Sequence, residues 1–385
     1  MRRSASALRF NLARAKALAP GRKSWAVIKA DGYGHGMKWA AAELGGSADG
    51  FAVSCVEEAV VLRESGIDAP VLVLQGARSH ADWDVCARHQ LQPVLHDETQ
   101  LPALSAFSGG LPGLWIKLDT GMHRLGFAPL KAQALYQQLR EHPAARRGLH
   151  WLTHLACADQ PDHPLNREQL DDFAHAVSEL PGQRSVANSA LVISGGAAGF
   201  TRAEWIRPGI MLYGANPLES RPQDHWDSGL ERLVAGDGFG DGHGDGDYGG
   251  ADRALELRPV MTVTAPLIAV KRLEPGATVG YGGTWSAQRQ TRAGVVAIGY
   301  ADGYPRHAPS GTPVLVNGYE CPLIGRVSMD MLEIDLTDVP EAKVGDSVTL
   351  WGEGLPVERI AAAAGTISYE LLTRVAGRLR VTDIG

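Results

Sequence analysis

The sequence predicts an α/β protein in two parts: an N-terminal (β/α)8 TIM-like barrel over residues 1–218 and a C-terminal, mostly antiparallel β domain over residues 253–385. Three observations carry this. Eight short apolar runs fall in the first two thirds of the chain. Amphipathic stretches lie between several of them, the alternation expected of a parallel sheet with crossover helices. Beyond about Arg253 the pattern changes to short β-rich segments divided by Gly, Pro and Asp turns. At 385 residues the chain also exceeds what one small core usually covers.

In order, the apolar runs are Trp25–Ala30, Phe51–Ser54, Val71–Leu74, Gln92–Leu95, Leu114–Leu118, Leu149–Leu155, Arg184–Ala187 and Trp205–Ile210. Helical spacing is read over Val56–Ser65, Leu130–Glu141 and Arg167–Leu180. The later strands are expected at Met261–Val270, Gly294–Gly299, Thr312–Val316, Cys321–Arg326, Met331–Leu336 and Ser347–Trp351, followed by helices at Pro356–Ala364 and Ser368–Gly377. Between the two parts, 219–252 carries an irregular Gly/Asp-rich stretch. Calcium-binding repeats of similar composition need several stacked copies, so a flexible insertion is the expectation.

Composition is that of an ordinary globular protein, 44% hydrophobic and 21% charged. A net charge of −6 gives no electrostatic reason to bind nucleic acid or an anionic membrane. No apolar run reaches the length of a membrane span, and the first residues lack the apolar core of a signal peptide. Cys55, Cys86, Cys157 and Cys321 lack CxxC spacing, which argues against a disulfide framework or a metal centre. A cytoplasmic protein is the expectation.

The strongest local signal is Ala26-Val-Ile-Lys29-Ala-Asp-Gly-Tyr33-Gly-His-Gly36: a lysine ending an apolar strand, followed by a Gly-rich turn. On a barrel, that end of a strand faces the active-site mouth. Burial there favours the neutral, nucleophilic amine. Spacing alone favours a plainer reading, a lysine that caps the strand and reaches solvent.

This run resembles the cofactor-lysine motif of bacterial alanine racemases, the fold-type III pyridoxal-phosphate enzymes. Further motifs match in the same order: Lys117-Leu-Asp-Thr-Gly-Met-His-Arg124, Thr153-His154, Asn188-Ser189, Arg207-Pro-Gly-Ile210, Gly280-Tyr281-Gly, Gly299-Tyr300-Ala-Asp-Gly-Tyr304, Ser328-Met329-Asp330 and Ile367-Ser-Tyr369-Glu. The resemblance implies pyridoxal 5'-phosphate as cofactor, alanine as substrate, and a homodimer with active sites at the subunit interface. It implies that Lys29 attaches the cofactor and acts as one of two bases. Tyr281, from the partner subunit, would be the other, taking the proton of L-alanine while Lys29 takes that of D-alanine. A free phenol titrates near pH 10, so nearby cationic charge must help it act as a base.

By the same resemblance Tyr33, Ser189, Gly209, Ile210 and Tyr369 surround the cofactor phosphate, and Arg207 faces the pyridine nitrogen. A guanidinium donates a hydrogen bond but keeps its proton, which makes the ring a weaker electron sink. His154 would support Arg207 and the tyrosine rather than carry a proton. Arg124 would hold the substrate carboxylate, and Met329 and Tyr300 would narrow the pocket around the substrate methyl. Asp330 would be a supporting acceptor. Lys117 corresponds to a lysine that many members carbamylate; an unmodified, solvated lysine is the alternative. An N-terminal strand that in many relatives joins the β domain looks absent, which predicts weaker docking of the two parts. Rival readings are a barrel-fold decarboxylase of basic amino acids, a non-catalytic carrier of pyridoxal phosphate, and a racemase of another amino acid. Arg207 and Tyr281 count against the first, and the length of the C-terminal part against the second.

Overall fold

A computed structural model describes residues 1–195, 203–218, 256–375 and 377–385. The Gly/Asp-rich insertion, 219–252, lies outside the described residues. Eight parallel strands close into a barrel: β2 (Lys23–Val27), β3 (Gly50–Val53), β4 (Val71–Val73), β5 (Gln92–Leu95), β6 (Leu114–Lys117), β7 (Leu149–Leu152), β8 (Arg184–Ser185) and β9 (Trp205–Ile206), with β9 returning to pair with β2. All eight expected runs are there, several cut short at their C-terminal ends. β2 stops at Val27 because the chain then leaves the extended region for the left-handed one. Inward side chains fill the barrel. Trp25 stacks on Trp205 with ring centroids 4.1 Å apart and meets Trp115 edge-on at 6.1 Å, a pairing that adds about 1 kcal/mol each beyond burial.

The connecting helices begin where the sequence offers caps. His163 accepts the Leu165 N–H ahead of Pro164, so the helix expected at Arg167 already starts at Pro164 and ends at Ala176. The stretch expected to be one helix over 130–141 divides into a single 3-10 turn at Pro129–Lys131 and a helix at Ala132–Leu139.

The C-terminal part is an eight-stranded sheet. In chain order its strands are β1 (Arg2–Ser4), β10 (Met261–Leu273), β13 (Thr291–Val296), β14 (Pro313–Val316), β15 (Tyr319–Ile324), β16 (Leu332–Asp335), β17 (Ser347–Trp351) and β18 (Thr382–Ile384). The spatial order is β13-β16-β15-β14-β17-β10-β1-β18, and the long β10 pairs with β13 as well. A separate hairpin joins β11 (Thr278–Val279) to β12 (Trp285–Ser286). Pairing is antiparallel except between β1 and β18.

β1 corrects one expectation. The N-terminal strand is present: Arg2 and Arg3 pair with Thr262 and Met261 of β10. Three polar residues leave no period-2 apolar pattern to read. Their backbone joins the sheet, and Arg3 ties the ends together. Its guanidinium binds Asp383 of β18 at 2.7 Å, lies over the Trp39 ring, and donates to the His35 carbonyl of the barrel at 2.5 Å. Buried Asn11 adds a second tie between the parts, donating to the carbonyls of Leu212 and Arg258 and accepting the Arg258 N–H. Among the described residues no helix is long and apolar enough to cross a membrane.

Candidate active site

The C-terminal ends of the barrel strands converge on a cationic mouth. Lys29 follows β2 directly. Burial and the neighbouring charge of Arg124 push its amine below the ordinary lysine range, while Glu58 opposes them. The direction is the one that burial at a strand end predicts.

The turn after Lys29 is unusual. Ala30, Asp31, Gly32, Tyr33 and Gly34 run consecutively at positive φ. Glycine is required at Gly34, where a Cβ would lie 2.1 Å from the Leu372 carbonyl oxygen. That close approach seats helix Ser368–Thr373, which carries Tyr369, against the turn. His35 holds the turn from inside, its Nδ1 lying 2.9 Å from the Tyr33 carbonyl and 3.1 Å from that of Gly32. Nδ1 is therefore the donor. The ring is fully buried and stacks on Tyr213 at 4.5 Å, and burial lowers its pKa to about 4.

Tyr33, Ser189, Gly209, Ile210 and Tyr369 come together beside this turn. The Tyr33 ring stacks on Tyr213 at 4.8 Å and lies 6.1 Å from Tyr369. Ser189 Oγ accepts the Gly209 N–H at 2.8 Å. A Cβ on Gly209 would stand 2.6 Å from the Tyr33 hydroxyl, so the absence of a side chain there leaves room for that hydroxyl. Ile210 is buried in the turn that follows. Burial raises both phenols, Tyr369 to about 12, so they stand as hydrogen-bond donors.

Arg207, just after β9, is buried. It donates to Ser185 Oγ at 2.6 Å and to the carbonyls of Thr153 at 2.6 Å and Val186 at 3.1 Å. The Nδ1 of His154 lies 3.3 Å from the same guanidinium. Burial and then Arg207 keep the His154 ring well below the ordinary histidine range, hence neutral and able to accept. Lys117 ends β6 and is 8% exposed, so the solvated alternative does not hold. Burial, then Arg124 and Arg207, lower its pKa to about 8. Arg124 is exposed on the loop after β6, where Asp119 Oδ1 accepts the His123 N–H at 2.9 Å and shapes the turn.

Tyr281, Tyr300 and Met329 belong to the C-terminal part and are exposed in the single chain, Tyr281 at 72%. Tyr300 and Met329 sit on adjoining turns, with the Tyr300 N–H bonded to the Ser328 carbonyl and the Ala301 N–H to that of Met329. Sequence reasoning missed the brace beneath them. Arg378 grips Asp302 at 2.6 Å and Asp330 at 2.6 Å, which gives Asp330 a partner. It also missed Glu58 and Arg3. Each is one of two neighbouring like charges, Arg2-Arg3 and Glu57-Glu58, whose partners lie far along the chain or on backbone, so spacing offered no signal.

The buried histidines carry a stability consequence. An unfolded histidine takes a proton near pH 6.5, whereas folded His35 resists it until about pH 4. Its contribution is complete above pH 6.5 and is lost as pH falls toward 4. At pH 5 His35 alone should cost about 2 kcal/mol. Thermal unfolding should show Tm falling between pH 7.5 and 5; an unchanged Tm over that range contradicts this.

The donor set at the mouth is one that fits pyridoxal phosphate: an amine with lowered basicity, a pocket at Gly209 that a side chain would fill, and a fixed guanidinium. Comparison with known proteins agrees in detail. The family model described as the alanine racemase N-terminal domain matches residues 4–217, and that of the C-terminal domain matches 260–382. An alanine racemase of Thioalkalivibrio sulfidiphilus is 49% identical over 384 residues, 99% of this chain and 97% of that protein. The crystal structure of the biosynthetic alanine racemase from Pseudomonas aeruginosa superposes with a TM-score of 0.87 at 42% identity, covering 100% of this chain and 98% of that one. That of alanine racemase from Bartonella henselae with covalently bound pyridoxal phosphate gives 0.81 at 25% identity, with coverage of 100% and 98%. The chain belongs to the alanine racemase family and is an isomerase acting on an amino acid.

Proposed function

We propose that this enzyme uses pyridoxal phosphate to interconvert L- and D-alanine with two proton-handling residues, Lys29 and Tyr281 of the partner subunit. The observation that carries the reading is Lys29 itself, an amine of lowered basicity at the end of a barrel strand, beside a phenol and serine cluster. In this reading residues 1–218 hold the cofactor, 253–385 supply the opposing phenol to the neighbouring protomer, and 219–252 is an insertion between them. The covalently bound pyridoxal phosphate of the Bartonella henselae relative supports the choice of cofactor.

When bound, the cofactor supplies an aldehyde for the lysine amine and an electron-withdrawing ring that makes the substrate Cα–H acidic. Tyr33, Ser189, Gly209, Ile210 and Tyr369 hold its phosphate through hydroxyl and backbone N–H donors. Arg207 donates to the ring nitrogen and keeps its own proton. His154, held neutral, accepts from Arg207 and keeps it aimed. Arg124 binds the substrate carboxylate, and Met329 and Tyr300 of the partner subunit limit the space around the methyl. Lys29 holds or releases a proton on one face of Cα, and Tyr281 of the partner subunit on the other. Lys117 is the residue for a carbamate: its lowered pKa supplies the neutral amine that adds carbon dioxide with loss of a proton. The product would be an anion beside Arg124.

The protein then works in the cytoplasm as a homodimer, making D-alanine for the cell wall or breaking it down. Incubation with L-alanine in D2O tests the reaction. Loss of optical rotation together with deuterium at Cα is expected; carbon dioxide release would point to a decarboxylase.

Gly209→Ala gives a geometric test of the phosphate cradle. At φ −121° and ψ −93° the backbone lies outside the regions that L residues favour, and the new methyl also meets the Tyr33 hydroxyl. Displacing one hydroxyl donor to a phosphate costs about 1.5–3 kcal/mol, a weakening of cofactor affinity by at least about 10-fold. Titration of the apoprotein with pyridoxal phosphate checks it, and unchanged affinity refutes the cradle.

A further inference from the structure

The turn after β2 is the longest run of positive φ among the described residues, from 52° at Ala30 to 78° at Gly34. Left-handed backbone costs L residues about 1–2 kcal/mol each and persists only where the surroundings over-determine it. Arg3 and His35 hold the far end of this run. Its near end is held by Glu58, in the first turn of helix Val56–Glu64. One carboxylate oxygen accepts the Ala30 N–H at 2.8 Å, and the other accepts the Ser54 N–H at 2.7 Å. A single side chain thus spans the C-terminal ends of β2 and β3, and grips the peptide immediately after Lys29.

The charged and titratable neighbours of Lys29 are Arg124 and Lys117 from β6 and its loop, His154 after β7, and Glu58. His154 is neutral, and Glu58 is the anion of that set. Its charge opposes the depression of the amine caused by burial and Arg124.

We propose that Glu58 is a positioning residue for Lys29, fixing where the lysine side chain leaves the barrel strand and presenting the negative charge that offsets Arg124. The proposal rests on the reading of Lys29 as the cofactor lysine. Its effect is on the protein's own amine, so it is measurable before any turnover. In full-length apoprotein, competitive labelling with acetic anhydride across pH 6 to 10, read by mass spectrometry at the Lys29 peptide, reports the ionisation of that amine.

Glu58→Gln keeps size and an acceptor oxygen but removes the charge. It should lower the Lys29 midpoint, because the anion that opposes burial and Arg124 is gone. Glu58→Asp keeps the charge but shortens the reach. It should leave the midpoint nearer wild type while hydrogen exchange at the Ala30 amide speeds at least about 10-fold. A wild-type midpoint in the glutamine variant, or wild-type protection at Ala30 in the aspartate variant, overturns the proposal. If the glutamine variant does not fold, the aspartate variant carries the test alone. Borohydride reduction after adding pyridoxal phosphate separates the two failures. An adduct on a lysine other than 29 overturns the reading beneath the proposal, whereas an adduct on Lys29 with an unshifted midpoint overturns the role of Glu58 alone.

Discussion

Replacing Lys29 with alanine should abolish racemisation in both directions and release the cofactor from covalent attachment. Among the described residues of the mouth, Lys117 is the one other amine, and this reading assigns it to a carbamate. Arg124 and Arg207 are guanidiniums, which do not form the linkage, and Lys117 ends β6, across the barrel from β2, in the cluster with Arg124. General acid–base catalysis by one side chain contributes about 10²–10⁴-fold, and Lys29 also carries the attachment. The loss should therefore exceed about 10⁴-fold. The absorbance of the bound cofactor near the visible edge should vanish with it. Retained absorbance, or a borohydride-stable adduct elsewhere, would contradict the assignment.

Tyr281→Phe should have an asymmetric effect. The phenol stands 72% exposed on the β11–β12 hairpin of the single chain, where a neighbouring protomer can receive it. Removing its hydroxyl leaves the cofactor attached to Lys29 and leaves the lysine face of Cα served. Proton removal from L-alanine should slow by about 10²–10⁴-fold, and removal from D-alanine far less. Deuterium exchange at Cα, measured from each enantiomer separately, resolves the two. Equal slowing would undo the assignment of one residue to each face.

Much of this was legible in the sequence because its cues are local. Barrel strands such as Val71–Val73 and Gln92–Leu95 are buried on both faces and read as apolar runs. The motif around Lys29 and the Arg207–Ile210 stretch were legible through the order of motifs shared with the alanine racemases, whereas spacing alone favoured a lysine that reaches solvent. What escaped depends on contacts across the chain. β1 is three polar residues that join a sheet through backbone bonds and the Arg3–Asp383 pair, 380 positions apart. Glu58 reads as one acid in an amphipathic helix, and only the fold brings it to the amides of Ala30 and Ser54. The end of β2 was misjudged by the apolar Ile28 and Ala30, since hydrophobicity does not report that the backbone turns left-handed there. Lys117 looked capable of reaching solvent because a lysine stem is long; the barrel covers it.

Complementation between two impaired subunits tests most directly that one residue from each protomer serves each site. Lys29→Ala and Tyr281→Phe chains are each expected to be crippled alone. Mixed at equal amounts and allowed to pair at random, about half the dimers are hybrids. One of the two sites in each hybrid then holds an intact Lys29 and an intact Tyr281, so activity should return to about a quarter of wild type. No recovery, in a mixture where hybrid dimers are demonstrably formed, would contradict the account.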